Sequence, residues 1–216
     1  MEDNPKLLLR QTTTQDYRQI EWLTREAFWN VHVPGCDEHY LAHVLRDSPD
    51  YLFELDYVAV WDGSIVGNIM YASSEIRSEQ GGCQKVLTFG PVSVLPTQQN
   101  RGIGKALINH TMNLASQQGH KLLVIYGDPD YYCRFGFVPG ESFGIRTSDG
   151  LFSPALQVKE LVPGALTGLN GTFHETGAYH LDPLAAAKFE RGFEPKEKQE
   201  TPSQKRFREL LALSHS

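Results

Sequence analysis

Apolar and polar positions divide the chain into stretches of period two and stretches of helical period. Residues 6–10 are a short apolar run that reads as a strand. Thr13-Thr14-Gln15-Asp16 then offers a helix start, a threonine N-cap with an acid three residues on. Tyr17, Ile20, Leu23 and Ala27 fall at helical spacing, and a second helical stretch covers residues 37–46. Residues 57–61 and 64–71 are β-rich runs flanking Asp62-Gly63, a dipeptide that favours positive φ, and they predict a hairpin. Gln80-Gly81-Gly82 punctuates the next connection. It leads into residues 86–95, which Pro96 ends because it has no ladder donor, so three strands run consecutively as a meander.

Beyond Pro96 the period becomes helical, with Ile103, Ala106, Leu107, Leu114 and Ala115 on one face and Gly119 placed as the C-terminal cap. Residues 121–126 form a compact apolar strand, and Gly127-Asp128-Pro129-Asp130 turns the chain into a short aromatic helix over 131–137. Residues 143–146 and 155–161 can add strands. Residues 196–204 are charged and Pro-containing and read as a flexible or surface-draped connection. The apolar stripe of Phe207, Leu210 and Leu211 predicts a docked surface helix. The fold class is α/β with a mixed sheet.

Composition narrows the function. With 216 residues and 40% hydrophobic content the chain can bury one good core. A net charge of −6 gives no broad basic surface, which argues against nucleic acid as a partner and requires any anionic ligand to be held locally. No apolar run approaches the ~18 residues of a membrane span, and residues 1–6 lack a signal peptide's apolar core. The expected location is the cytoplasm. Cys36, Cys83 and Cys133 cannot all pair within one chain, and their spacing is not that of a zinc ribbon, so reduced thiols are expected.

The most informative stretch is Gln99-Asn100-Arg101-Gly102-Ile103-Gly104-Lys105, between a strand and an amphipathic helix. Two glycines at a helix start allow close backbone approach, and the free N–H groups there favour a diphosphate. Arg101 and Lys105 add local positive charge. Taken alone, a Gly-x-Gly also serves simply to pack a strand against a helix. A Walker loop is excluded because Ala106 follows Gly104-Lys105, and a Rossmann fingerprint because Leu107 stands where its third glycine belongs.

Gln99-x-x-Gly102-x-Gly104, preceded by Val92-x-Val94-x-Pro96, resembles the acetyl-CoA motif of the GNAT superfamily of N-acetyltransferases. Tyr132-Cys133-Arg134-Phe135-Gly136-Phe137 is similar to its second signature, a tyrosine four residues before Gly-Phe. The resemblance spans residues 6–139. It implies a sheet whose two central parallel strands, here 86–95 and 122–126, splay apart around the pantetheine arm of acetyl-CoA. It implies further that backbone groups around Val92, Ser93 and Val94 bond the pantetheine, that Gln99, Asn100, Arg101, Gly102, Ile103, Gly104 and Lys105 cradle the diphosphate, and that Tyr132 protonates the departing thiolate. Tyr131 would then be a substrate-side or core residue. Residues 1–140 would form the acetyltransferase core, 141–195 strands completing the same domain, and 196–216 a charged extension. A homodimer stays open.

The acceptor is expected to be a primary amine of a small molecule or peptide. Its determinants fall in residues 30–50, 152–173 and the C-terminal extension. Carboxylates and a histidine that could take the amine's proton are Glu26, Glu38, His39, Glu54, Asp56 and Glu75; none stands in the strand stretch Thr88-Phe89-Gly90, where some relatives place a base, so the base is expected to act through water. Cys36, His39 and His43 lack a clear fourth ligand and are expected to hold no metal. Cys133 is expected to pack. An alternative to the enzyme is a regulatory module that binds acyl-CoA without turnover.

Overall fold

The computed structural model describes residues 7–78 and 81–216; the expectations for residues 1–6 and for Gln80 lie outside the described residues. The predicted helix start is closed by its acid. Asp16 accepts from the Thr13 N–H and hydroxyl, both at 2.8 Å, and pairs with Arg10 at 2.7 Å. Helix α1 (Tyr17–Phe28) follows, then α2 (Glu38–Val44). Strands β1 (Leu8–Gln11), β2 (Tyr57–Trp61), β3 (Ser64–Arg77) and β4 (Cys83–Val94) pair antiparallel in sequence order. The β2–β3 turn has Asp62 at φ 49° and Gly63 at φ 77°, the positive values that Asp-Gly predicts.

Strand β5 (Leu122–Tyr126) runs parallel to β4 but pairs with it only at Leu87–Leu123. Beyond that point the two strands part. Across β4, the register to β3 shifts between Ile69 and Tyr71, so that Gly90 and Pro91 together stand opposite Met70. Such a bulge bends the strand, and Pro91 brings no N–H to a ladder. The other edge of β5 is paired along its whole length with β8 (Leu156–Glu160), and β6 (Val138–Pro139) extends the sheet past β8. Strand β9 (Gly171–His174) pairs with the far end of β3 and, parallel, with β7 (Ile145–Arg146).

Helix α3 (Ile103–Gln117) covers one face of the sheet, and α1 and α2 cover the other. The alternation along β2 shows this. Val58 packs with Ile20, Leu23 and Ile65, while Ala59 packs with Val66, Ile69, Ile103 and Leu107. Gly67 lets α3 come close, since a Cβ there would lie 3.1 Å from both Ile103 and Leu107. The buried face of α3 comprises Ile103, Leu107, Ile108, Thr111, Met112 and Ala115, while the expected Ala106 and Leu114 are only partly buried. Gly119 (φ 87°) terminates the helix as expected.

Other expectations shift. The strand over 143–146 shortens to Ile145–Arg146 because Gly144, at φ 68°, turns the chain first. Helix α1 buries Glu21, Thr24 and Arg25 besides its apolar stripe. Helix α5 (Pro183–Glu190) and the strands β6 and β9 had no sequence signal. Residues 196–201 are draped over the end of α1: the Glu197 carbonyl accepts from Trp29 Nε1 at 2.8 Å and Asn30 Nδ2 at 3.1 Å. Helix α6 (Pro202–Ala212) then docks by its Phe207–Leu210 side, with the Gln204 side chain fully buried.

Candidate active site

A groove of about 550 Å³ opens where β4 and β5 diverge. Val92 and Val94 form its floor, and Ala27, Phe28 and Val31 close it from the end of α1. One end is the turn into α3. There Asn100 (φ 62°) and Gly102 (φ 81°) both take left-handed conformations. The first backbone bond of α3 runs from the Ala106 N–H to the Gly102 carbonyl at 2.9 Å, which leaves the N–H groups of Gly102, Ile103, Gly104 and Lys105 without an intrahelical acceptor. They point, with the positive end of the helix dipole, into a groove also lined by Gln98, Gln99, Asn100 and Lys105.

The side chains of two expected cofactor residues face away from the groove. Ser93 is fully buried on the opposite face of β4, where its hydroxyl donates to Thr24 Oγ1 at 2.9 Å. Strand alternation imposes this once Val92 and Val94 face the groove. Arg101 is exposed outside the groove lining, and Ile103 contributes backbone while its side chain sits in the core.

At the other end, helix α4 (Pro129–Tyr132) is started by the Asp128 carboxylate accepting from the Asp130 N–H at 3.0 Å. Tyr132 lines the groove, its ring among those of Phe89 at 5.9 Å and Phe137 at 5.7 Å. Its hydroxyl has no hydrogen-bond partner among the described residues, and burial raises its pKa well above the ordinary phenol range. Tyr131 is not a core residue. It lines the same groove, with its hydroxyl 3.4 Å from where a Cβ of Gly104 would stand, beneath the Arg134 guanidinium at 4.6 Å. Four residues make one helical turn, too short for the period to send adjacent side chains to opposite environments. Arg134, a groove cation that the sequence reading passed over, stands in the 3-10 turn Cys133–Phe135 that follows α4, inside the tyrosine-to-Gly-Phe stretch already singled out.

None of the expected proton acceptors reaches the groove lining. Asp56 is fully buried and accepts from Thr12 Oγ1 at 2.6 Å, Asn68 Nδ2 at 2.7 Å and the Tyr51 hydroxyl, so it ties β2 to β3. Glu26 pairs with Lys196 at 2.9 Å, Glu38 lies 3.0 Å from His32, and Glu75 is bonded to Arg77 at 2.8 Å; Glu54 is exposed. His39 is fully buried 3.0 Å from Glu190, and desolvation lowers its pKa. Cys36 lies 3.6 Å from His39, but His43 turns to Glu21 at 2.8 Å, and no group of three metal-ligating side chains occurs among the described residues. Burial raises the Cys36 thiol. Cys133 does not pack; it is exposed, facing the Asp130 carbonyl at 3.5 Å. All three cysteines are free.

Behind Tyr132 lies a second cavity of about 670 Å³, lined by the end of β5, the loop after α1, Ala155, Glu175 and helix α6. Glu175 follows β9, two residues outside the expected 152–173 region, and no sequence pattern singled it out.

Residues 54–139 match the acetyltransferase (GNAT) domain family. The chain is 26% identical to an uncharacterized N-acetyltransferase, YhbS, of Escherichia coli strain K12 over 172 residues, covering 78% of this chain and 97% of that one. Among solved structures, E. coli YhbS in complex with CoA matches at a TM-score of 0.74 and 22% identity over 84% of this chain and 96% of that one. A GNAT family acetyltransferase from Brucella melitensis in complex with acetyl-CoA matches at a TM-score of 0.65 and 27% identity, over 81% and 98%.

Proposed function

We propose that this chain, which belongs to the GNAT superfamily of acetyltransferases, transfers an acetyl group from acetyl-CoA to a primary amine of a small molecule or peptide. The observation that carries the reading is one groove with unpaired N–H groups at the start of α3 at one end and the unpartnered Tyr132 hydroxyl at the other, between strands that have parted. The Brucella relative, solved with acetyl-CoA, supports the same cosubstrate here.

In this reading the diphosphate lies on the N–H groups of Gly102 to Lys105, with Lys105 and Arg134 offsetting its charge. The pantetheine arm runs along the edge of β4 that β5 leaves unpaired past Leu87, where strand N–H and C=O groups near Val92 and Val94 are free to bond an amide chain. An amine attacking the thioester carbonyl builds negative charge on oxygen and then on sulfur. Tyr132 meets the sulfur. A thiol with an unperturbed pKa near ~8.5 is a stronger acid than this buried phenol, so Tyr132 acts first as a hydrogen-bond donor to the developing thiolate and relays the final proton as the C–S bond breaks. A module that only bound acyl-CoA would need the groove but not this hydroxyl.

Thermal unfolding tests the cofactor half. Acetyl-CoA should raise Tm, by up to the equivalent of ~2.7 kcal/mol at a hundredfold excess over Kd, and acetyl-pantetheine, which lacks the diphosphate, should raise it far less. Gly104→Val should erase the difference between the two ligands, because its side chain would enter the space between Tyr131 and Val94. Equal shifts from both ligands in the wild type would remove the α3 turn as the phosphate site. The protein's location in the cytoplasm remains part of this proposal; no helix among the described residues is long and apolar enough to cross a membrane.

A further inference from the structure

Glu175 stands at the second cavity with no hydrogen bond or ion pair to any described residue. The walls around it are largely apolar: Val31, Tyr126, Ala155, and Phe207, Leu210 and Leu211 of α6. The cavity's other charged groups are already engaged. Arg206 is held by Asp128 at 3.3 Å and Asp130 at 2.7 Å, and His32 lies 3.0 Å from Glu38 while stacking on Phe207 at 4.7 Å. Glu175 is the one carboxylate there left without a counterion.

The cavity backs directly onto the thioester end of the groove. Gly127 lines the cavity, and a Cβ on it would collide with the ring of Tyr132, so backbone and ring are in immediate contact. On its other side stands Tyr179, whose phenol is raised by burial and, to a smaller extent, by the Glu175 charge, and the Tyr179 hydroxyl donates to the Gly90 carbonyl at 2.9 Å. Gly90 is the bulge of β4. Glu175 therefore lies between the end of β5 and the bulge where the central strands part, the region in which β4 itself offers only Thr88-Phe89-Gly90.

Resting on the acetyl-transfer reading, we propose that this cavity receives the acceptor and that Glu175 takes the proton from its ammonium, which makes the acceptor a primary amine carried on an apolar body. The apolar walls fit such a body, and the single unpaired carboxylate fits one cation. A polyamine would bury a second charge unpaired, and an amino acid would find no free cation for its carboxylate. Burial pushes the Glu175 pKa up to about 7, and the titratable groups around it are Tyr126, Tyr179, Asp128, Arg206 and His32. Near neutrality such a group holds a proton better than an ordinary carboxylate does, which suits a base.

The step balances. Glu175 takes one proton from the ammonium, the nitrogen lone pair bonds the carbonyl carbon, and the C–S bond breaks with its electron pair on sulfur. The nitrogen loses a second proton. Of the two, one ends on the CoA thiol by way of Tyr132, and the other passes from Glu175 to solvent.

Two measurements on the full chain test the proposal: calorimetric binding of 2-phenylethylamine without acetyl-CoA, and thiol release with acetyl-CoA and a panel of 2-phenylethylamine, n-hexylamine, spermidine and lysine. The two monoamines should be acetylated with kcat/KM at least tenfold above spermidine and lysine. Glu175→Gln should weaken 2-phenylethylamine binding at least tenfold and lower kcat by ~100-fold. It should also abolish an acid limb of the wild-type rate near pH 7, while its Tm shift with acetyl-CoA stays that of the wild type. Absent or equal amine binding in wild type and Glu175→Gln, or an acid limb that survives the substitution, would overturn the proposal. The acetyl-CoA shift, read on the same two proteins, reports separately on the cofactor site.

Discussion

Tyr131 and Tyr132 are neighbours in sequence and in the groove, yet burial separates their chemistry. Tyr132 is enclosed by Phe89, Phe135 and Phe137, whereas Tyr131 is 38% exposed and leans toward Gly104 and Arg134. Tyr132→Phe keeps every ring contact, so acetyl-CoA affinity and stability should change little while kcat falls ~100-fold. Tyr131→Phe should do the reverse and weaken acetyl-CoA binding with kcat nearly unchanged, which a KM-against-kcat comparison reads directly. The raised pKa of Tyr132 also removes any alkaline limb from the ordinary tyrosine range; the wild-type rate should hold through pH 10, and a limb centred there that vanishes in Tyr132→Phe would contradict the burial of this phenol. The position of Tyr132 was legible because a spacing to Gly136-Phe137 marks it. The role of Tyr131 was not, because a single turn carries no reliable face.

At the scale of elements, what the sequence announced were the pieces that build themselves locally. The Asp62-Gly63 hairpin, the helix closed by Gly119 and the glycine turn before α3 each follow from a few adjacent residues. The splay of β4 from β5 was expected only through family resemblance; its physical origin is the Gly90-Pro91 bulge inside a stretch that reads as an unbroken strand. Helix α5 escaped because what fixes it is distant. Arg25 is 2% exposed, bonds Glu190 of α5 at 2.6 Å and the Glu194 carbonyl at 2.9 Å, and has Trp29 under its guanidinium at 4.4 Å. No window of sequence shows that pairing across 165 residues. Arg25→Ala leaves Glu190 facing His39 without its cation, and should cost about 3–5 kcal/mol in urea unfolding, with Glu190→Gln milder because an amide oxygen can still accept from the Arg25 guanidinium, which keeps Glu26 at 3.8 Å. A loss below ~1 kcal/mol would mean that α5 is held by apolar contacts such as those of Phe189 and Ala186 alone.

For the molecule as a whole, the chain returns late to finish what its first half begins. Residues after 139 supply β8 along the edge of β5, β9 along the end of β3, and α6 as a wall of the second cavity. These are long-range pairings that the sequence could show only as isolated apolar runs, and so the acceptor side was less legible than the cofactor side. Closure of that cavity has a consequence for stability that does not depend on any acceptor. Glu175 titrates near 4.5 when unfolded and is raised to about 7 in the fold, by desolvation. The folded state therefore binds the proton more tightly. Stability from this group is fully present below the unfolded value and is lost as pH rises from there through about 7. Asp16 works the other way, since Arg10 holds its carboxyl well below the usual range and its contribution is lost only in strong acid. Asp56, raised by burial, adds to the neutral-side loss, so the wild-type curve alone mixes the two. Comparing Glu175→Gln with wild type isolates one of them. The Tm difference should be near zero at pH ~4, grow in favour of Glu175→Gln between pH ~5 and ~7, and level off above that at roughly 10 °C, given ~1.4 kcal/mol per pKa unit and ~2–4 °C per kcal/mol for a chain of this size. A difference that is flat with pH, or that favours the wild type above pH 7, would show Glu175 to be solvated and the cavity open to water.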